Sequence, residues 1–272
     1  MLEQSNYAVK NLSLQLTNTL DENRQFRHVS SHTMQEPLRK LQVFSGMLID
    51  AIRQKDAAKA EHLALRIKTG AERFSSLIKE LSRFSDLQEE NTSFQQTDLE
   101  YIIEMVHAEF RPKLQEKKSV VRVGALPVIW AVSQQIEELF YHLFDNAIKF
   151  SKKDLPLEIS VSCKQYVSDI NTQLSHEKRY IEIEVKDNGV GIDETQLEKI
   201  FDMFSQLPSG ADHQGVGMGL TICRKIIRNH AGVITIKSQT GIGTSVSVIM
   251  PGEFGATDHP NSEIEGRSFR LA

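Results

Sequence analysis

Four short stretches of this 272-residue chain carry residue types able to do chemistry. The first is Ser31-His32-Thr33-Met34-Gln35-Glu36-Pro37-Leu38-Arg39-Lys40, where a histidine stands inside a helical pattern shortly before a proline. An interior proline removes a backbone hydrogen bond and crowds the preceding turn, at roughly 3 kcal/mol, and usually bends the helix. An imidazole with one unprotonated nitrogen is a nucleophile at neutral pH; a polar residue on a solvated helix face explains His32 equally well. The second stretch, Asp145-Asn146-Ala147-Ile148-Lys149, lies in a pattern whose other side is apolar (Leu139, Phe140, Leu143, Phe144). Asn146 offers an oxygen suited to a hard cation such as Mg²⁺, and Lys149, one turn on, can meet phosphate. Alone, that cluster reads as a solvated helix edge.

The third stretch is Asp187-Asn188-Gly189-Val190-Gly191, at the end of a strand pattern. Two glycines one residue apart let the backbone turn sharply and approach a flat ligand. An ionised Asp187 only accepts hydrogen bonds, so it can take one from the amino group of an adenine; a plain strand-to-helix turn would look the same. The fourth, Gly215-Val216-Gly217-Met218-Gly219-Leu220, opens a helix, where free backbone N–H groups and the positive end of the helix dipole suit phosphate. A helix and a polar loop precede it where a dinucleotide-binding fold would have a strand, which argues against a Rossmann fingerprint.

These residues need scaffolds. From Leu2 to about Gln54, helical spacing (Leu12, Leu16, Leu20, then Leu38, Leu41, Leu48, Ile52) predicts one long helix interrupted near its middle. After a short polar connection, Leu63, Ile67, Gly70, Phe74, Leu77, Leu81 and Phe84 recur at alternating steps of four and three, a seam of period 3.5. A hairpin of two such helices has too little partner surface to bury its stripe. A homodimer through residues 1–88, forming a four-helix bundle, is therefore expected, with packing on the rest of the same chain as the alternative. Residues 89–96 read as a polar linker, and 97–251 as a second domain of mixed helices and strands.

In that domain Thr97-Asp98 caps a helix to about Lys117, and Ser133 to Phe150 forms another. Paired strands are predicted at Leu157–Lys164 and Tyr180–Lys186, helices near Glu194–Phe204 and from about Met218 to His230, and strands at Val233–Ser238 and Thr244–Met250. The sum is an α/β sandwich with helices on one face of an antiparallel or mixed sheet. Residues 252–272 look like a loose tail.

A net charge of -4 on 36 acidic and 32 basic residues offers no electrostatic reason for nucleic acid or an anionic membrane as partner. No apolar run approaches the ~20 residues that cross a bilayer. Cys163 and Cys223 lie far apart without metal-like spacing, which fits reduced thiols in the cytoplasm.

In order and separation, the three glycine- and asparagine-bearing clusters resemble the N, G1 and G2 boxes of the Bergerat-type ATP-binding domain of histidine kinases, gyrase-like ATPases and Hsp90-like chaperones. Phe201 and Phe204 in "IFDMF" match the F box, and Gly241-Ile242-Gly243-Thr244 the last glycine motif. With "SHTMQEPLRK" and the hairpin, the resemblance is to two-component sensor histidine kinases of the phytochrome-like branch, over about residues 20–251. It implies ATP and Mg²⁺ as cofactors, His32 as phosphoacceptor, and transfer to an aspartate of a response-regulator receiver domain. It further implies Asn146 as metal ligand, Lys149 as phosphate contact and Asp187 as adenine reader beside Gly189 and Gly191. Residues 205–214 would form a lid, with Gly215, Gly217, Gly219 and Leu220 along the phosphates. An upstream sensor module or partner would supply the signal.

The chain departs from the family in three places. Relatives carry Asp or Glu directly after the histidine; here Thr33 stands there, a very poor base at pH 7, with Glu36 one turn on as a partial substitute. General-base assistance is worth ~10²–10⁴-fold, so slow or conditional autophosphorylation is expected, or else a weakly catalytic nucleotide-binding scaffold or relay acceptor. Glu36 also occupies the place of the Thr or Asn of the family's phosphatase motif. His142 replaces an asparagine common on the metal side of its helix.

Overall fold

The computed structural model describes residues 33–87, 93–167, 179–205 and 216–253 and the backbone of 267–270. His32, Gly215 and most of the expected lid therefore lie outside the described residues. The chain divides into two compact units, Met1–Arg83 and Phe84–Ala272.

The first unit is a helical hairpin. Helix α1, residues 33–53, continues through Pro37, and α2 spans Ala57–Asp86. Lys55 takes the left-handed conformation (φ 59°) that reverses the chain. Asp56 then caps α2, its Oδ1 accepting the Lys59 N–H at 3.0 Å. The predicted seam is the inner face of α2: Leu63 and Leu77 are buried, and Ile67, Gly70 and Phe74 are half-buried between exposed neighbours. From α1, Leu41 fills the space over Gly70, where a Cβ would meet its Cδ2 at 2.9 Å. The Arg66 guanidinium lies 4.3 Å from the Phe44 ring centroid. Val43, Ile49, Ile52 and Leu65 are each more than half exposed.

The second unit is an α/β sandwich with a six-stranded mixed sheet, as expected. Strands β2 (Val120–Val123), β4 (Glu158–Tyr166), β5 (Tyr180–Asp187), β6 (Val233–Gln239), β7 (Gly243–Pro251) and β8 (Arg267–Arg270) run in the order β6-β7-β5-β4-β2-β8. Among the described strands of this sheet, β2 and β4 pair in parallel and the other neighbours antiparallel. On one face Ile159, Val161, Ile181, Ile183, Val185, Val246 and Val248 are buried, and the alternate positions are mostly Ser, Glu and Lys. This period of two marks a sheet covered on one side. Helices α3 (Leu99–Glu116), α4 (Ser133–Lys149) and α5 (Gly219–Asn229) supply the cover, α4 packing between the other two. Phe140, Phe144, Ile136 and Leu139 of α4 are fully buried. Asp98 caps α3 as predicted, its Oδ1 accepting the N–H groups of Glu100 and Tyr101 at 2.9 and 3.2 Å.

Three predicted boundaries change. Gln95 and Gln96, read as linker, belong to a strand, β1 (Gln95–Asp98), paired antiparallel with β3 (Val128–Ala131). The helix expected near Glu194–Phe204 is a 3₁₀ turn, Glu194–Gln196, followed by further turns closed by i→i+3 bonds. Within the stretch read as a loose tail, Arg267–Arg270 pairs antiparallel with β2. No disulfide joins Cys163 and Cys223. No helix among the described residues is long and apolar enough to cross a membrane.

Candidate functional site

The site gathers around Asp187, the last residue of β5. Its Oδ1 accepts the Gly189 N–H at 2.7 Å, and the Thr244 N–H of the paired strand β7 also bonds its carboxylate. Burial pushes its carboxyl above the usual carboxylate range, against the opposing pull of these two N–H groups and Lys152. Such a group holds one strong acceptor in a half-dry place.

The floor beside it exists because side chains are missing. A Cβ on Gly189 would come within 2.6 Å of the Phe150 carbonyl at the end of α4. Gly191 has φ +72°, and a Cβ there would sit 2.0 Å from the Gln239 carbonyl. Bonds from Val190 N–H to the Phe150 carbonyl (2.9 Å) and from Gly241 N–H to the Val190 carbonyl (2.7 Å) draw the loop, α4 and the β6–β7 turn together. Asn188 locks the strand end: its Oδ1 accepts the Glu158 N–H at 2.9 Å and its Nδ2 donates to the Pro156 carbonyl at 3.0 Å. The "DNGVG" motif is thus more than a turn, and Asn188 and Thr244 are site-building residues whose roles the sequence reading left out.

Asn146 is half-buried on α4, and its side chain makes no hydrogen bond with a described residue. Lys149 is ion-paired with Asp145 one turn back. Gly219 opens α5, and its N-cap residue Met218 makes no side-chain cap hydrogen bond, so among the described residues no side-chain cap is seen on the first-turn N–H groups. Gly217 has φ +79°, and a Cβ there would meet the Ser205 carbonyl at 2.4 Å, so the two ends of the undescribed 206–215 segment lie side by side. Phe201 is held by α5: its carbonyl accepts from Thr221 Oγ1 at 3.0 Å and from Arg224 Nη2 at 2.9 Å, and the guanidinium lies 5.5 Å from its ring centroid. Leu220, in the same first turn, is half-buried. His142 is buried beneath this turn, its Nε2 3.9 Å from Glu138 Oε1 and without a hydrogen-bond partner among the described residues.

In the other unit, Thr33 is half-buried in α1 and Glu36 is exposed, accepting from Lys40 Nζ at 2.5 Å. Among the described residues no three His, Cys, Asp or Glu side chains converge on a metal position.

A mostly buried carboxylate, a glycine-walled floor and the start of α5 lie in one domain. Residues 131–253 match the family model described as histidine kinase-, DNA gyrase B- and HSP90-like ATPase. Curated relatives narrow the class. The chain is 30% identical over 229 residues to cyanobacterial phytochrome A of Nostoc sp. (strain PCC 7120), covering 84% of this chain and 28% of that protein. It is 25% identical over 228 residues to sensor protein RprX of Bacteroides fragilis, covering 81% and 42%. The chain therefore spans less than half the length of the curated relatives it matches. In fold it resembles the Acinetobacter baumannii histidine kinase AdeS, with a TM-score of 0.55 at 21% identity, covering 81% of this chain and 97% of that one. The full-length ShkA structure, solved in complex with AMPPNP, aligns with a TM-score of 0.52 at 18% identity over 84% of this chain and 45% of that one. These comparisons support a two-component sensor histidine kinase catalytic core.

Proposed function

We propose that the chain is an ATP-dependent protein histidine kinase that phosphorylates His32 and passes the phosphoryl group to an aspartate on a response-regulator receiver domain. The observation that carries this reading is the half-dry Asp187 carboxylate at a glycine-walled floor, in the same unit as the uncapped start of α5. Asp187 accepts the adenine amino group beside Gly189 and Gly191. Gly215, Gly217, Gly219 and Leu220 present backbone N–H groups to the phosphates, and Lys149 meets them by exchanging Asp145 for a phosphate oxygen. Phe201, clamped by Thr221 and Arg224, anchors the segment between the glycines.

The side chain of Asn146, which makes no hydrogen bond with a described residue, would hold Mg²⁺ through its amide oxygen. When bound, that ion neutralises charge on the phosphates. A ring nitrogen of His32 attacks the γ-phosphorus in line. The N–P bond forms as the P–O bond to ADP breaks, and the proton on the other ring nitrogen leaves to an acceptor. Thr33 is a poor acceptor, and Glu36 is engaged by Lys40 on the side away from His32 in sequence, so the reaction is slow.

Incubation with radiolabelled ATP should give acid-labile, base-stable label, lost in His32→Ala; acid-stable label, or label surviving in His32→Ala, refutes the assignment. Thr33 favours a second reading, a nucleotide-binding dimeric scaffold or relay acceptor, for which binding without label would speak. The exposed Val43, Ile49, Ile52 and Leu65 support a homodimeric four-helix bundle. A sedimentation mass of one chain at micromolar concentration would oppose it. An upstream sensor module or partner supplies the stimulus, and the cytoplasm is the expected compartment.

A further inference from the structure

Glu80 stands in the inner stripe of α2, three residues after the buried Leu77 and beside the half-buried Leu81, where the seam otherwise holds apolar side chains. Its Oε1 lies 3.6 Å from Arg83 Nη1. Its Oε2 is shut off from water and has no hydrogen-bond partner among the described residues. Desolvating a carboxylate oxygen without a donor is costly, and a glutamate kept only for a surface ion pair would leave both oxygens in water.

The register of the hairpin says what Glu80 stands opposite. Leu41 of α1 fills the space over Gly70 of α2, and Phe44 lies against Arg66, so these pairs sit at matching heights on antiparallel helices. A step back along α1 is therefore a step forward along α2, about 1.5 Å in each. His32 comes nine residues before Leu41, directly ahead of Thr33, and Glu80 comes ten after Gly70. Carried to that end, the register sets Glu80 at the height of the phosphoacceptor position to within about 1.5 Å, one residue's rise.

We propose that Glu80 is the proton acceptor for His32, supplied from the facing helix because Thr33 cannot serve. The proposal rests on the kinase reading above. One ring nitrogen of His32 forms the N–P bond as the P–O bond to ADP breaks, and the proton on the other ring nitrogen passes to Glu80 Oε2, from which water later removes it. An acceptor on another helix is less well held than one on the adjoining residue, and Arg83 draws on its other oxygen. Glu80 accordingly supplies the slow rate of the native chain.

The test measures initial rates of acid-labile labelling, and the KM for ATP, in the full chain and in Glu80→Gln, Thr33→Asp and the double variant. Glu80→Gln should lower the native rate by about ten-fold or more with the KM for ATP unchanged. Thr33→Asp restores an acceptor beside His32, so adding Glu80→Gln to it should alter the rate by less than about two-fold. That rescue separates proton acceptance from folding, because a damaged hairpin would carry its loss into the double variant. An undiminished rate in Glu80→Gln, an equal loss in both backgrounds, or label in Thr33→Asp with none in the native chain overturns the role of Glu80 and leaves His32 phosphorylation standing. Absence of His32-dependent label from the native chain and from Thr33→Asp alike overturns the kinase reading, and this proposal with it.

Discussion

Replacing Asp187 by asparagine should move stability and nucleotide binding in opposite directions. The carboxyl is held above its ordinary range because burial outweighs the help from the Gly189 and Thr244 N–H groups and Lys152. An acid whose folded pKa exceeds its unfolded value makes the fold most stable below the unfolded pKa, and stability is lost as pH rises through the folded pKa. The ionised carboxylate is therefore a burden on the empty fold. The Asp187→Asn substitution removes it, and the amide oxygen still serves Gly189, at the 2.7 Å bond, and Thr244. On the proposed function, the new NH₂ would face the adenine amino group, donor against donor, where the carboxylate would accept. A hydrogen bond to a charged group contributes about 1.5–3 kcal/mol, so affinity should fall by roughly 10- to 150-fold. Scanning fluorimetry of the empty protein and calorimetry with AMP-PNP measure the two quantities separately. A lowered melting temperature with unchanged affinity would refute the reasoning, because Asp187 would then be a structural acceptor only.

Other substitutions probe the frame and the chemistry. Gly191→Ala combines φ +72° with a Cβ 2.0 Å from the Gln239 carbonyl and should cost at least ~1–3 kcal/mol in urea unfolding. Gly46→Ala, on an open helix face with nothing within 4 Å, should add ~0.5–1 kcal/mol in the same assay. His230 is held neutral, Nε2 accepting the Val132 N–H at 3.0 Å, and burial lowers its pKa. The unfolded state then binds more protons, so stability should be complete above about pH 6.5 and decline as pH falls toward the lowered folded value. His230→Gln should flatten the decline in urea midpoints between pH 7.5 and 5, leaving the part due to His107, whose pKa burial also lowers. Thr33→Asp should raise the initial rate of phosphohistidine labelling by up to ~10²–10⁴-fold; no increase would show that proton acceptance does not limit the reaction.

The parts of the structure legible in the sequence are those governed by local physics. The seam of α2 and the bounds of α4 and α5 follow from periodicity, and the start of α3 from the Asp98 cap, all decided by neighbours along the chain. The segment Glu194–Phe204 carries a helical pattern, yet its carbonyls are claimed from outside: Thr221 and Arg224 both take that of Phe201. Strand β1 has no alternation of its own. It forms because β3 offers a register and because Thr97 Oγ1 and Gln95 Nε2 reach Ser133 Oγ at 2.7 and 2.8 Å. The glycine and asparagine clusters named the site, but the part of Thr244 depended on strand pairing 57 residues away in sequence, Asp187 against Thr244.

The strand Arg267–Arg270 closes an edge that would otherwise be open. Without it, β2 would present the free amides and carbonyls of Val120–Val123, a run rich in valine, along the rim of the sheet. Open, apolar rims recruit strands from other molecules. A shortened chain ending near Glu253 would keep the whole nucleotide site, yet it should be prone to concentration-dependent self-association through β2. The C-terminal residues thus guard solubility, and anyone trimming them to isolate the ATP-binding unit would be exchanging a tail for a sticky border.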